Sequence, residues 1–99
     1  MPLDVRPDHL SIIQTILKSL IPMQRVVAFG SRVNGNAKAT SDLDLCIMSN
    51  DRIPFESLGH LRDEFSLSDL PYKVDVIDWT AITPEFRKIV SENNIDIQT

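Results

Sequence analysis

The stretch Val26–Met48, VVAFGSRVNGNAKATSDLDLCIM, places two carboxylates inside an apolar run. Leu43, Leu45 and Ile47 alternate with Asp42, Asp44 and Cys46, so in a strand the aliphatic residues take one face and the aspartates the other. Asp42 and Asp44 then point the same way, about 7 Å apart along the chain. A carboxylate taken out of water is costly unless it is paired. Two so close repel, and one stays protonated unless a cation lies between them. The strand therefore has one face in a core and the other at a site suited to a hard divalent ion such as Mg²⁺.

Around this strand the pattern is regular. Leu10, Ile13, Ile16, Leu17, Leu20 and Ile21 recur at three- and four-residue spacing and predict an amphipathic helix over His9–Ile21, with Pro7 and Asp8 at its start and Pro22 at its end. Val26–Phe29, closed by Gly30, reads as a buried strand. The segment SRVNGNAKATS then holds a turn or two of helix and a loop. Leu43–Met48 is the second strand, Phe55–Phe65 a helix, and Lys73–Trp79 a third strand. Thr83 caps a last helix over Pro84–Glu92. The tail NNIDIQT alternates weakly and stays unassigned. The order α-β-(short α)-β-α-β-α predicts an α/β (α+β) fold, a small sheet with helices packed on it. At 99 residues the chain is expected to form one domain, residues 1–99.

A third acid lies in KVDVIDW. Asp75 faces away from Val74 and Val76, whereas Asp78 shares their face, so parity selects Asp75 to join Asp42 and Asp44. Three carboxylates without a basic partner nearby in the sequence suit metal-dependent phosphoryl or nucleotidyl transfer. Gly30 and Ser31 supply the complement. A helix opening at Ser31 directs backbone N–H groups at a phosphate, glycine allows close approach, and the Ser31 hydroxyl adds a donor. Two rival motifs fail. Gly30 and Gly35 begin a G-x-x-x-x-G phosphate loop, but Asn36 and Ala37 follow where Lys and Ser or Thr are required; an EF-hand fails at Cys46 and Ile47.

Gly30-Ser31, ten residues, Asp42-x-Asp44 and a later strand bearing Asp75 together resemble the minimal nucleotidyltransferases (MNT) of the polymerase-β-like superfamily. The likeness spans nearly the whole chain and is closest to the small prokaryotic members of HEPN/MNT two-gene toxin–antitoxin systems. It implies a mixed sheet backed by helices. It implies that Asp42, Asp44 and Asp75 bind two Mg²⁺ ions, with Mn²⁺ an acceptable substitute, and that Asp75 helps deprotonate the attacking hydroxyl. It implies phosphate contacts from Gly30 and Ser31, and a phosphate or partner contact from Arg32. The activity implied is transfer of AMP from ATP, or of another nucleotide, to a tyrosine of a HEPN-domain RNase toxin. Larger relatives carry a second domain that helps hold base or acceptor, so a hetero-oligomer with the HEPN partner is expected to complete the site.

The remaining residues support simpler roles. A net charge of −4 disfavours non-specific nucleic-acid binding, and none is expected. A single cysteine, no signal-peptide pattern and no run long enough to span a bilayer point to a cytoplasmic protein without a membrane partner. Cys46 is expected to be a buried structural thiol. His9 and His60 lack partners at zinc-ligand spacing. Lys38 and the RDE cluster read as solvated, and Phe29, Phe65 and Trp79 as core. Two other functions stay open: an antitoxin that neutralises its partner by binding alone, and a transferase acting on a small molecule of the aminoglycoside type.

Overall fold

The computed structural model describes residues 3–99. In chain order it contains α1 (Pro7–Leu20), β1 (Val26–Phe29), α2 (Ser31–Asn34), β2 (Leu43–Ile47), α3 (Phe55–Leu67), β3 (Val74–Asp78), a 3₁₀ turn (Trp79–Ala81), α4 (Pro84–Glu92) and β4 (Ile95–Gln98). The expected elements are all present, with ends displaced by a residue or two. The tail left unassigned is a fourth strand.

Local chemistry explains the element ends. Pro7 opens α1, where its missing N–H costs nothing, with Asp8 in the first turn and Lys18 in the last complementing the helix dipole. Ile13 and Leu17, one turn apart, are fully buried. The Thr83 side chain accepts from Phe86 N at 3.2 Å and caps α4 as predicted.

The sheet order is β3-β2-β1-β4. β1 is antiparallel to both β2 and β4, while β2 and β3 run parallel, so the sheet is mixed. The parallel pair requires a crossover, and α3 provides it. β1 and β2 are central, and all four residues of β1 are buried. β4 is fastened from outside the ladder: Gln98 Nε2 donates to Ile21 O at 2.8 Å and Gln24 O at 2.9 Å, and Arg25 pairs with Asp96 at 2.8 Å.

Strand parity divides the core in two. Val26, Ala28, Leu43, Leu45, Ile47, Val74 and Val76 pack against α1 and α3. On the opposite face Val27, Phe29 and Cys46 pack with Val90 of α4 in a smaller cluster. The acids emerge on this second, thinly covered face. No described helix is long and apolar enough to cross a membrane.

Candidate active site

The register of the sheet assembles the site. Asp44 of β2 lies directly beside Asp75 of β3 in the parallel ladder and opposite Phe29 of β1 in the antiparallel one. Neighbouring strands are about 4.8 Å apart, so the two carboxylates are near neighbours on one face. Asp42 stands one residue before β2 and is exposed, at the rim of the same face. Burial raises the Asp44 pKa first, and the charges of Asp75 and Asp42 raise it further. Both acids thus act on Asp44, as the alternation in the sequence predicts.

Gly30 ends β1 and caps α2 with φ 82° and ψ −154°, a region essentially restricted to glycine. A Cβ at this position would collide with the Asp44 carboxylate. Glycine is therefore needed twice, for the turn and for the approach of the acid. The Gly30 carbonyl accepts from Val33 N at 3.0 Å and Asn34 N at 3.1 Å, which closes the first turn of α2. The amides of Ser31 and Arg32, at the start of that helix, have no intrahelical acceptor. Ser31 is half-buried beside them. Gly35 ends α2 in the left-handed region, at φ 87°.

Arg32, expected to contact a phosphate or a partner, has its donors engaged within the chain. It is 5% exposed, and its guanidinium donates to Ser41 O at 3.0 Å, Asp4 O at 2.9 Å, Lys38 O at 3.3 Å and Ala39 O at 3.0 Å. Its flat face lies 4.0 Å from the Tyr72 ring centroid. With its donors committed to carbonyls and a face against an aromatic ring, it anchors the loop that delivers Asp42 and Asp44.

Lys73 was not foreseen as part of the site. The sequence has a basic residue two positions before Asp75, on the same side of the strand, and Lys73 Nζ lies 3.3 Å from Asp75 Oδ1. The spacing Lys73-x-Asp75 carried that signal. Phe86 of α4 also borders the site, edge-on to Phe29 with centroids 5.9 Å apart. A cleft of about 860 Å³ runs from Asp44 and Asp75 over β3 to α3.

Other expectations resolve simply. Asp78 faces the main core, as parity requires. Burial opposes its charge, but bonds from Ile53 N at 2.8 Å and from Thr80 N and Oγ1 at 2.9 Å outweigh this and hold its pKa below the usual carboxylate range. Cys46 is fully buried, and burial pushes its thiol up to about 11, away from nucleophilic use. His9 meets Tyr72 edge-on at 5.5 Å. Phe29 and Phe65 are core, while Trp79 is half-buried under the Arg87 guanidinium.

The donor set fits a hard divalent cation. The ion pairs among the described residues are Arg6–Asp8, Arg25–Asp96 and Lys73–Asp75, and none neutralises Asp44. Among the described residues no three acid, histidine or cysteine side chains already converge as a metal cluster. Asp42 is exposed at the rim and Lys73 pairs with Asp75, so a cation bound among the three acids would have to draw Asp42 inward and displace Lys73.

Known proteins resemble this chain in sequence and in fold. The polymerase beta nucleotidyltransferase family model matches residues 12–98. The chain is 45% identical over 96 residues to the "Probable protein adenylyltransferase MntA" of Haemophilus influenzae, covering 97% of this chain and 84% of that relative. A toxin–antitoxin structure with AMP-PNP superposes at TM-score 0.76 with 22% identity, covering 91% of this chain and 73% of that one. A tri-AMPylated Shewanella oneidensis HEPN toxin in complex with MNT antitoxin gives a TM-score of 0.66 with 18% identity over 91% of this chain and 73% of that one. These two likenesses bear on the fold, and the family match and the relative bear on descent: the chain belongs to the polymerase beta nucleotidyltransferase family, as a relative of MntA.

Proposed function

We propose that this chain is an antitoxin that transfers AMP from ATP to a tyrosine hydroxyl of a HEPN-domain toxin, as a single domain working in the cytoplasm. Asp42, Asp44 and Asp75 would hold two Mg²⁺ ions, and Gly30 with Ser31 would receive the β- and γ-phosphates. The observation that carries this reading is the alignment of Asp75, Asp44 and the Gly30 turn across three adjacent strands. Its chemistry matches the adenylyl transfer named for the Haemophilus influenzae relative.

The reaction is an in-line displacement. The tyrosine oxygen forms a bond to the α-phosphorus, the bond from that phosphorus to the bridging oxygen breaks, and pyrophosphate leaves toward Gly30 and Ser31. The hydroxyl proton passes to the Asp75 carboxylate, the half-exposed acid on the outer strand. Mg²⁺ held by these acids would supply Lewis-acid activation of the hydroxyl and charge neutralisation of the departing pyrophosphate. The Gly30–Ser31 amides orient the phosphates, and the Arg32 clamp holds the acid-bearing loop in place.

The test is intact mass spectrometry of the cognate HEPN protein after incubation with this chain, ATP and Mg²⁺, with Asp44→Asn in parallel. A gain of one or more AMP units, absent with the variant, is the expected result. No gain despite a stable complex overturns catalysis in favour of neutralisation by binding.

A further inference from the structure

We infer that the acceptor enters as an extended polypeptide segment that pairs with the outer edge of β3. This rests on the transfer reading above and names how its acceptor is held.

In-line displacement fixes the side of approach. The leaving group sits at the Gly30 turn, at the end of β1, so the attacking oxygen must come from the opposite side of Asp44. That side is β3, which carries Asp75 and has no strand beyond it. The cleft of about 860 Å³ lies there and wraps the β3 edge, with Asp44, Asp75 and Phe86 at its inner end and Arg62, Asp63 and Ser66 of α3 as its outer wall.

The ladder determines what this edge offers. Leu43 N donates to Lys73 O at 2.9 Å, so Lys73, Asp75 and Ile77 turn their backbone groups toward β2. Val74 and Val76 turn theirs away from β2, toward the cleft, although both residues are buried in the free chain, Val76 at 1% exposed. Arg62 bears this out by donating to Val76 O at 2.8 Å from across the cleft. A row of outward N–H and C=O groups beside a groove is the requirement for adding a strand. Arg62 covers one acceptor in the free chain and must move aside.

Charge and reach narrow the occupant. Asp44, Asp63 and Asp75 outnumber Arg62 and Lys73 along the cleft, so a polyanionic nucleic acid is disfavoured and a neutral or basic peptide is favoured. An added strand would lie about 4.8 Å beyond β3 and so about 10 Å from β2. A tyrosine reaching over Asp75 covers most of that span, and a serine or threonine does not.

The experiment is residue-resolved hydrogen exchange of the native chain, without ATP, alone and in its complex with the cognate HEPN protein. The Val74 and Val76 amides are expected to slow on complex formation, while Asp75 and Ile77 change little. In parallel, Ser66→Trp fills the outer wall from an exposed helix position. It is expected to raise the KM for the HEPN protein roughly tenfold or more. Unchanged exchange at Val74 and Val76 in a formed complex overturns the inference, as does normal modification of the partner by Ser66→Trp. So does protection conferred by a single-stranded RNA oligonucleotide and not by the protein. Edge protection without any AMP gain supports the docking and removes the transfer reading; AMP gain without edge protection does the reverse.

Discussion

Replacing Gly30 with alanine tests the tightest geometric claim about the site. Its φ of 82° and ψ of −154° lie where an L-residue is strained, which costs about 1–3 kcal/mol. The new Cβ also collides with the Asp44 carboxylate. Either the β1–α2 turn opens or Asp44 swings away from Asp75. For a domain of this size a loss of about 2 kcal/mol lowers Tm by roughly 8–16 °C. A displacement of the order of 1 Å at the acid costs about 100-fold in rate. The other two glycines calibrate the result. Gly35 has φ +87° but open space around it, so Gly35→Ala should lose about 1–2 kcal/mol of stability and retain activity per folded molecule. Gly59, inside α3 with nothing within 4 Å, should gain about 0.5–1 kcal/mol on substitution by alanine. Urea denaturation and AMP transfer, measured on all three variants, give the comparison. Gly30→Ala with wild-type stability, or with activity within about threefold of wild type, would refute the reasoning, since misplacement should cost far more.

Three further outcomes follow from the same geometry. Asp44→Asn should raise Tm in EDTA at neutral pH while abolishing transfer: a carboxyl whose pKa is raised on folding opposes stability once ionised, so its neutral isostere relieves that penalty. Mg²⁺ should stabilise the wild type and leave this variant nearly unmoved, as scanning fluorimetry would detect. Arg32→Lys, which cannot reach four carbonyls at once, should cost about 2–4 kcal/mol in urea titrations; a variant of unchanged stability with weakened ATP binding would restore the phosphate-contact role. Asp78→Asn should flatten the acid limb of the stability profile. The Asp78 carboxyl is held below its ordinary value, so its contribution is complete above that value and is lost as pH falls through the lowered one. Denaturation midpoints from about pH 2 to 6 check this, because carboxylate titration falls in that range.

The acids illustrate how far local pattern carries. Alternation in DLDLCI and KVDVID assigned Asp42, Asp44 and Asp75 to the polar face and Asp78 to the core, and the sheet places Asp44 and Asp75 side by side as that assignment requires. Parity works because side-chain direction in a strand is a property of the backbone itself. The same logic gave no warning about Arg32. Its motif position suggests a phosphate contact, but a guanidinium with five donors goes where carbonyls converge, and those come from Asp4 and the Lys38–Ser41 loop. Lys73 was overlooked although its spacing from Asp75 was legible.

The sequence by itself determined the helices and three of the strands, through the periods of 3.6 and 2 that backbone geometry imposes. It also determined the glycine turn and the sidedness of Asp42, Asp44, Asp75 and Asp78. Tertiary structure alone decided that β2 and β3 pair parallel and in a register that sets Asp44 beside Asp75. It alone recruited the weakly patterned tail as β4, because the partner that stabilises Ile95–Gln98 is β1, some 70 residues earlier. It alone left β3 with no strand beyond it, beside the acids. Side-chain direction is local and can be read from neighbours in the chain; strand order, register and the partner of a buried charge depend on contacts between distant segments.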